Sequence, residues 1–434
     1  ILCLGNEVTR GNMTRDSEDF LRRLFGHVVA LADPMRVVPK ALPPRPTGRV
    51  VVIGAGKASA RMAEAVEAAW GSCEGIVITR YGYARPCRGI DIIEGSHPLP
   101  DAEGVKATSR ILDLLAEVGE GDFVLALISG GGSALLCAPA DGMSLEDKQA
   151  VHRALLESGV PIGLMNTVRK HLSRVKGGQL SAAAYPAKLL ALAISDVPGD
   201  VLADIASGAT VGERSVSEDA VSIINHHHIP MPQSAIEVLS RGSTVIPSDD
   251  PRLATTVNRI IAAPSQSLTA AKAISKAQGM EVQILGDAIE GEAREEGARQ
   301  ANLARDIQAD MKRGDPPLVL LSGGECTVTG WGGGVGGPNA EFTLAAAIEL
   351  DGQPGIHLIA CDTDGVDGAA EVAGAVAGPD TLDKARIAVI NPSEALARND
   401  SHTFFAAIGG QVVTGPTLTN VNDFRAILIA PTGG

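Results

Sequence analysis

The chain lacks any Cys-x-x-Cys pair, has few aromatic residues and carries no apolar run long enough to cross a bilayer. Each lack removes a class of function. Six cysteines (Cys3, Cys73, Cys87, Cys137, Cys326 and Cys361) are scattered over 434 residues. Isolated thiols make neither a disulfide framework nor a zinc site, and they suit a reducing cytoplasm. Aromatics are 3% of the chain, too few for the stacking platforms that hold single-stranded nucleic acid. A net charge of −14 opposes long polyanions, so no nucleic-acid partner is expected. No segment approaches the roughly 20 apolar residues of a membrane helix, so no membrane partner is expected either. What remains is a globular chain, 45% hydrophobic and 20% charged, long enough for two domains. Residues 1–12 precede the first methionine, show no periodicity and read as a tag or disordered stretch.

Residues 17–33 place Phe20, Leu21, Leu24, Val28 and Leu31 at helical spacing, which predicts an amphipathic opening helix. A β-branched run then meets Gly54, Ala55, Gly56, Lys57, Ala58 and Ser59, the pattern of a strand, a tight turn and a helix start. A Walker A loop is ruled out because Ala58, not Ser or Thr, follows Lys57. The dinucleotide fingerprint is met only in part, since Ser59 stands where its third glycine belongs. A plain βα turn with a solvated lysine remains one reading. The other has Lys57, near a helix start whose amides attract anions, neutralising phosphate. The next strand ends at Arg80, which could meet the extra phosphate of NADP.

Two apolar runs, ending near residues 128 and 194, close in unusual chemistry. The first meets Ser129, Gly130, Gly131, Gly132 and Ser133, three glycines between hydroxyls, the composition of an anion-binding nest. The second meets Asp196, an acid at a strand end, which is costly unless it does metal or base work. Between them Asn166, Lys170 and Arg174 fall at i, i+4 and i+8, one helix stripe. Such a stripe is a solvated face or, with so few acids nearby, a clamp for an anion. The run His226, His227, His228 reads as a surface feature, because three successive side chains cannot face one ion.

Residues 244–251 read as a boundary between domains at 13–245 and 253–434. In the second half Ser322, Gly323, Gly324 and Glu325 repeat the serine–glycine pattern after a strand, and Pro338 follows a glycine loop and opens a helix. Asp362 and Asp364 lie in a strand-end turn with Asp367. Their spacing excludes an EF-hand and suits magnesium, which takes one or two carboxylates plus phosphate oxygens.

In order, GAGKASARM (54–62), GSHPLPD (95–101), SGGGSALL (129–136), RKHLSRVKGGQL (169–180), SDVPGD (195–200), SGGE (322–325), GGPNAEF (336–342), DTDGVDG (362–368) and TGPTLTNVNDF (414–424) resemble the glycerate 2-kinases of the MOFRL type. Some members of that family carry the label hydroxypyruvate reductase. The resemblance implies two α/β domains, the first with a Rossmann-like, largely parallel sheet, the second with a mixed sheet, and a cleft between them. It implies ATP-dependent phosphorylation of D-glycerate at its 2-hydroxyl, with magnesium, in the cytoplasm. The family's important lysine falls on Lys57 and its acids on Asp196 and Asp364. Gly54, Gly56, residues 129–133, Gly323, Gly324 and Glu325 are then expected to hold ATP. Lys170 or Arg174 would clamp the substrate carboxylate, and Asp362 with Asp364 would hold Mg2+. Assembly as a homodimer is compatible with this picture. One departure stands out: many members have arginine where this chain has Pro338, and glutamine where it has Ala340. The alternative activity is an NAD(P)H-dependent hydroxypyruvate reductase.

Overall fold

The protein's structure, a computed structural model, describes residues 2–330, 332–368 and 370–432, with side chains from 16 onward except at 198. Residues 2–12, expected as a tag or disordered stretch, continue the opening helix in their backbone. Packing divides the chain into two compact units. The N-terminal unit comprises residues 33–263 and 418–420, and the C-terminal unit comprises 1–32, 264–417 and 421–434. Both are α/β, the first built on a parallel sheet and the second on a mixed one, as the sequence leads one to expect.

In the N-terminal unit the strands are β1 (Val50–Ala55), β2 (Glu74–Arg80), β3 (Ile90–Gly95), β4 (Phe123–Ile128), β5 (Lys188–Ile194) and β6 (Thr256–Ala262). They run in the order β3-β2-β1-β4-β5-β6, every pair parallel. All six residues of β1 are buried, because helices cover both faces of a parallel sheet and leave no side for polar residues. On one face Val51, Ile53, Ile78, Val124 and Ala126 pack against Ala107, Ile111 and Leu115. Those three belong to the helix Ala102–Leu115, whose start is fixed by Asp101 accepting the Gly104 amide at 2.9 Å. Such a cap contributes about 1 kcal/mol. Strand order reverses between β1 and β4. The turns leaving those two strands therefore flank the crevice where open α/β sheets bind ligands.

The domain limits read from sequence need two corrections. Residues 256–262 fall after the expected boundary, yet β6 pairs with β5 from Leu189↔Thr256 onward and completes the first sheet. The opening helix (Leu2–Leu31) packs in the C-terminal unit, where Phe20, Leu21, Leu24 and Val28 meet Ile359, Phe424 and Ala426. An amphipathic stripe says that a helix is buried on one side, not against which sheet.

The C-terminal unit contains β7 (Glu281–Gly286), β8 (Gly291–Glu292), β9 (Leu318–Gly323), β10 (Cys326–Thr327), β11 (Ile356–Asp362), β12 (Gly374–Ala377), β13 (Gln411–Val412) and β14 (Asp423–Ile429). Its main sheet runs β13-β12-β11-β14-β9-β7, with only β7 and β9 parallel. Along β14 the period of two divides the layers. Phe424, Ala426 and Leu428 join the cluster with the opening helix, while Ile427 and Ile429 face Ala301, Ala304, Leu344 and Ala347 of two other helices. Arg425 shares that second face and is 1% exposed, so its charge needs partners inside the unit. No helix of the described residues is long and apolar enough to cross a membrane.

Candidate active site

The turn after β1 and the turn after β4 are locked together. Lys57 N–H donates to Gly130 O at 2.8 Å, and Ala58 N–H donates to the Ser129 hydroxyl at 3.0 Å. Lys57 sits in the turn itself, ahead of the helix Ser59–Trp70 rather than in its first turn. A Cβ on Gly54 would stand 2.4 Å from Leu127 O, and one on Gly56 2.1 Å from the Ser129 hydroxyl. Both glycines are thus needed for the close approach of β1 to β4. Ser129 is fully buried, and its hydroxyl serves the turn.

Four side chains converge on the glycines that follow. A Cβ on Gly130 would lie 1.9 Å from Asp196 Oδ2, and Asn420 Nδ2 donates to that oxygen at 3.0 Å. A Cβ on Gly131 would lie 3.1 Å from His97 Cδ2 and 3.2 Å from Lys57 Cγ. Gly131 takes the left-handed conformation (φ 80°), which glycine adopts without a Cβ penalty. Among the described hydrogen bonds, the Gly132 amide goes to Ser129 O, and the Gly130, Gly131 and Ser133 amides have no acceptor. Lys57, Asp196 and the Gly130–Ser133 turn therefore come together within one unit. In the sequence His97 and Asn420 stand only within the motifs at 95–101 and 414–424, with no role assigned to either.

Behind the turn lies a chain of polar contacts that the sequence did not announce. The Ser133 and Ser207 hydroxyls are 2.8 Å apart, and Ser207 donates to Asn166 Oδ1 at 3.0 Å. Asn166 in turn donates to Asp204 Oδ1 at 3.1 Å. Ala206 and Ser207 both have positive φ (49° and 56°). For non-glycine residues that conformation costs about 1–2 kcal/mol each, so the surrounding contacts must hold it. Strain of this kind gathers at functional sites.

The expected stripe of Asn166, Lys170 and Arg174 does not form one helix face. The helix ends at His171, because the chain bridges at Ser173 to Pro139. Arg174 thus leaves the stripe, is half exposed, and bonds Pro139 O at 3.1 Å. Lys170 is buried and paired with Glu213, which also accepts the Arg214 and Ser215 amides at 2.7 and 3.0 Å. Burial pushes the Glu213 carboxyl up, but Lys170 and the two amides outweigh it and hold it down to about 2. Glu213→Gln should therefore lower unfolding free energy at pH 7 by about 3 kcal/mol, as breaking a buried pair does. A group with a depressed pKa stabilises the fold above its unfolded value. The deficit should accordingly shrink as pH falls from 4.5 towards 2. Urea titration at several pH values checks this, and equal stability of the two proteins at pH 7 would refute it.

In the C-terminal unit, Asp364 is fully buried. The Asp364 amide donates to Asp362 Oδ1 at 2.8 Å, and the Val366 amide donates to Asp364 Oδ1 at 2.8 Å. The carbonyls of Gly323 and Gly324 accept from Arg425 at 3.5 and 2.8 Å, and Glu325 is exposed. Sequence reasoning missed the buried network beside them. Asp367 accepts the Asn339 and Ala340 amides at the start of the helix Pro338–Leu350, and His402 Nε2 lies 3.0 Å from its Oδ2. Asp423 accepts from Asn339 Nδ2 and Arg425 Nη2, each at 2.7 Å. Burial pushes the Asp423 carboxyl up, against the pull of Arg425. An arginine inside the apolar run of β14 was the available signal. Among the described residues no group of three or more His, Cys, Asp or Glu side chains forms a metal cage.

Known proteins resemble the chain over nearly all its length. Residues 20–240 match a domain described as of unknown function (DUF4147), and residues 318–423 match the MOFRL family. A protein of Agrobacterium vitis, provisionally named hydroxypyruvate reductase, is 51% identical over 94% of both chains. The D-glycerate 2-kinase of Thermotoga maritima is 37% identical over 91% of this chain and 94% of its own. The glycerate 2-kinase of Pyrococcus horikoshii is 36% identical over 95% and 97%. The crystal structure of a glycerate kinase from Thermotoga maritima aligns with a TM-score of 0.85 at 35% identity, covering 96% of this chain and 100% of that one.

Proposed function

The chain belongs to the MOFRL-type glycerate 2-kinase family, and from that premise we propose that it transfers the terminal phosphoryl group of ATP to the 2-hydroxyl of D-glycerate. One observation carries the reading. Lys57 and Asp196 both stand against the Gly130–Gly131 turn, where strand order reverses. Phosphoryl transfer is mostly positioning and charge neutralisation. Lys57 and the amides of Gly130, Gly131 and Ser133 supply positive charge and donors to phosphate oxygens. Asp196, oriented by Asn420, accepts the hydroxyl proton or aims the hydroxyl at phosphorus.

Asp362 and Asp364 offer an oxygen-only donor set, the type magnesium takes, and we assign the ion to them. Bound there, a magnesium ion would supply positive charge for phosphate oxygens. The five described cysteines outside residues 1–15 are free thiols, which supports a cytoplasmic setting.

Phosphorus NMR of the product formed from ATP and D-glycerate tests reaction class and regiochemistry together. The expected product is 2-phosphoglycerate. The provisional name of the Agrobacterium vitis relative gives the opposing outcome: NADPH oxidised by hydroxypyruvate while ATP is left intact would overturn the proposal.

A further inference from the structure

With Lys170 neutralised by Glu213, the N-terminal unit still buries three cations whose charge is unanswered. Lys148, Arg169 and Lys176 are 5%, 6% and 1% exposed, and His152 lies among them at 7%. Among the described residues no carboxylate pairs with any of the three. Lys148 Nζ donates to Leu172 O at 2.9 Å, and Lys176 Nζ donates to Leu136 O at 3.0 Å. Each carbonyl closes a helix, a position that favours a cation, yet it uses one of three ammonium protons. Arg169 is less well served. Its Nη1 reaches Asn166 Oδ1 at 3.4 Å, and its Nε is buried without an acceptor.

A cluster of this kind is expensive to keep. Burial, then repulsion from Lys148 and Arg169, brings Lys176 down to about 7, opposed only by Cys137. Burial likewise brings Lys148 down to about 8. His152 falls to about 3 through burial and the fields of Arg169, Lys148, Lys176 and His97. Buried like charges persist where an anion compensates them.

The cluster adjoins the glycine turn on two sides. Arg169 leads through Asn166 and Ser207 to Ser133. His97, in the field of His152, packs at the Gly131 turn. We propose that Arg169, backed by Lys176 and Lys148, binds the carboxylate of the hydroxy-acid substrate, with Asn166 and Ser207 beside it to receive the substrate's hydroxyls. A guanidinium fork matches a carboxylate with two parallel hydrogen bonds. The assignment rests on the kinase reading for the identity of its ligand.

The test compares wild type with Arg169→Gln, Arg169→Lys and Lys176→Met. KM for D-glycerate should rise about 100-fold in Arg169→Gln, the scale of a lost buried charge contact, with KM for ATP changed less than about twofold. Arg169→Lys should recover part of the loss. The preference for D-glycerate over glycerol, which lacks the carboxylate, should collapse in Arg169→Gln. Cations that only close helices would lower the melting temperature and leave both ratios intact, which overturns the proposal. Calorimetry with D-glycerate alone separates the subsite from the kinase reading. Should wild type bind D-glycerate without phosphorylating it, and Arg169→Gln fail to bind, the subsite stands and the kinase reading falls. Phosphorylation with an unchanged KM in Arg169→Gln would remove the subsite and leave the kinase reading in place. Tighter binding of inorganic phosphate than of D-glycerate would overturn the carboxylate assignment. Even if no variant folds, wild-type affinity for D-glycerate should weaken by up to about tenfold per pH unit above 7 as Lys176 loses its proton. Affinity flat from pH 6 to 8.5 would count against the proposal.

Discussion

Lys57→Ala is expected to lower the rate of phosphoryl transfer about 10³-fold, with the fold intact. The magnitude is that of removing one preorganised positive group from a site where charge on phosphate oxygens must be neutralised. Intactness follows from how the turn is held. The contact between Lys57 and Gly130 runs through the backbone N–H, and the Ala58 amide is fixed by Ser129. Truncating the side chain leaves both bonds in place. The turn keeps its shape, and the loss is that of the ammonium alone. Lys57→Arg should restore part of the rate. Single-turnover kinetics beside a melting curve check the prediction, and an undiminished rate in Lys57→Ala would remove Lys57 from the reaction.

Gly130→Ala should be nearly as damaging by another route. Gly130 does not have a positive φ, so alanine meets no backbone penalty there. The added methyl instead stands 1.9 Å from Asp196 Oδ2 and 2.6 Å from Asn420 Nδ2. Both are ends of side chains and can swing away. The fold should survive while the carboxylate is displaced, lowering kcat about 10²- to 10⁴-fold, the usual range for a lost general base. Affinity for ATP should change far less. If displacement of Asp196 is the whole effect, Gly130→Ala combined with Asp196→Asn should be no slower than the worse single variant. Multiplying losses would show that Gly130 acts through something other than Asp196.

The elements of this site were legible where the fold imposes a simple pattern. Strands buried on both faces are continuous apolar runs, so β1, β4 and β5 announced themselves, along with the glycines and the aspartate at their ends. The strand β6 reads from sequence as a strand or short helix, but not as a member of the first sheet. Its residues alternate between exposed and partly buried, as at a sheet edge, and such a pattern is weak evidence for any one partner. Cations on one helix posed a different problem. Arg169 and Lys170 are adjacent, about 100° apart around the axis, and both are buried. Only the position of Glu213, 43 residues later, decides which of the two keeps its charge unanswered. Arg174 was misread because periodicity was carried past the helix end at His171. Asn420 stands 224 residues from Asp196, a separation at which sequence pattern carries no information about contact.

Residues 418–420 belong by packing to the N-terminal unit, although more than 150 residues of the C-terminal unit precede them in the chain. The group that steadies Asp196 is thus synthesised only after most of the C-terminal unit. A nascent chain that has finished its parallel sheet still lacks the amide of Asn420. Severing the chain after residue 263 would therefore leave the parallel-sheet half without the amide that steadies Asp196, a piece that no fragment ending there encodes.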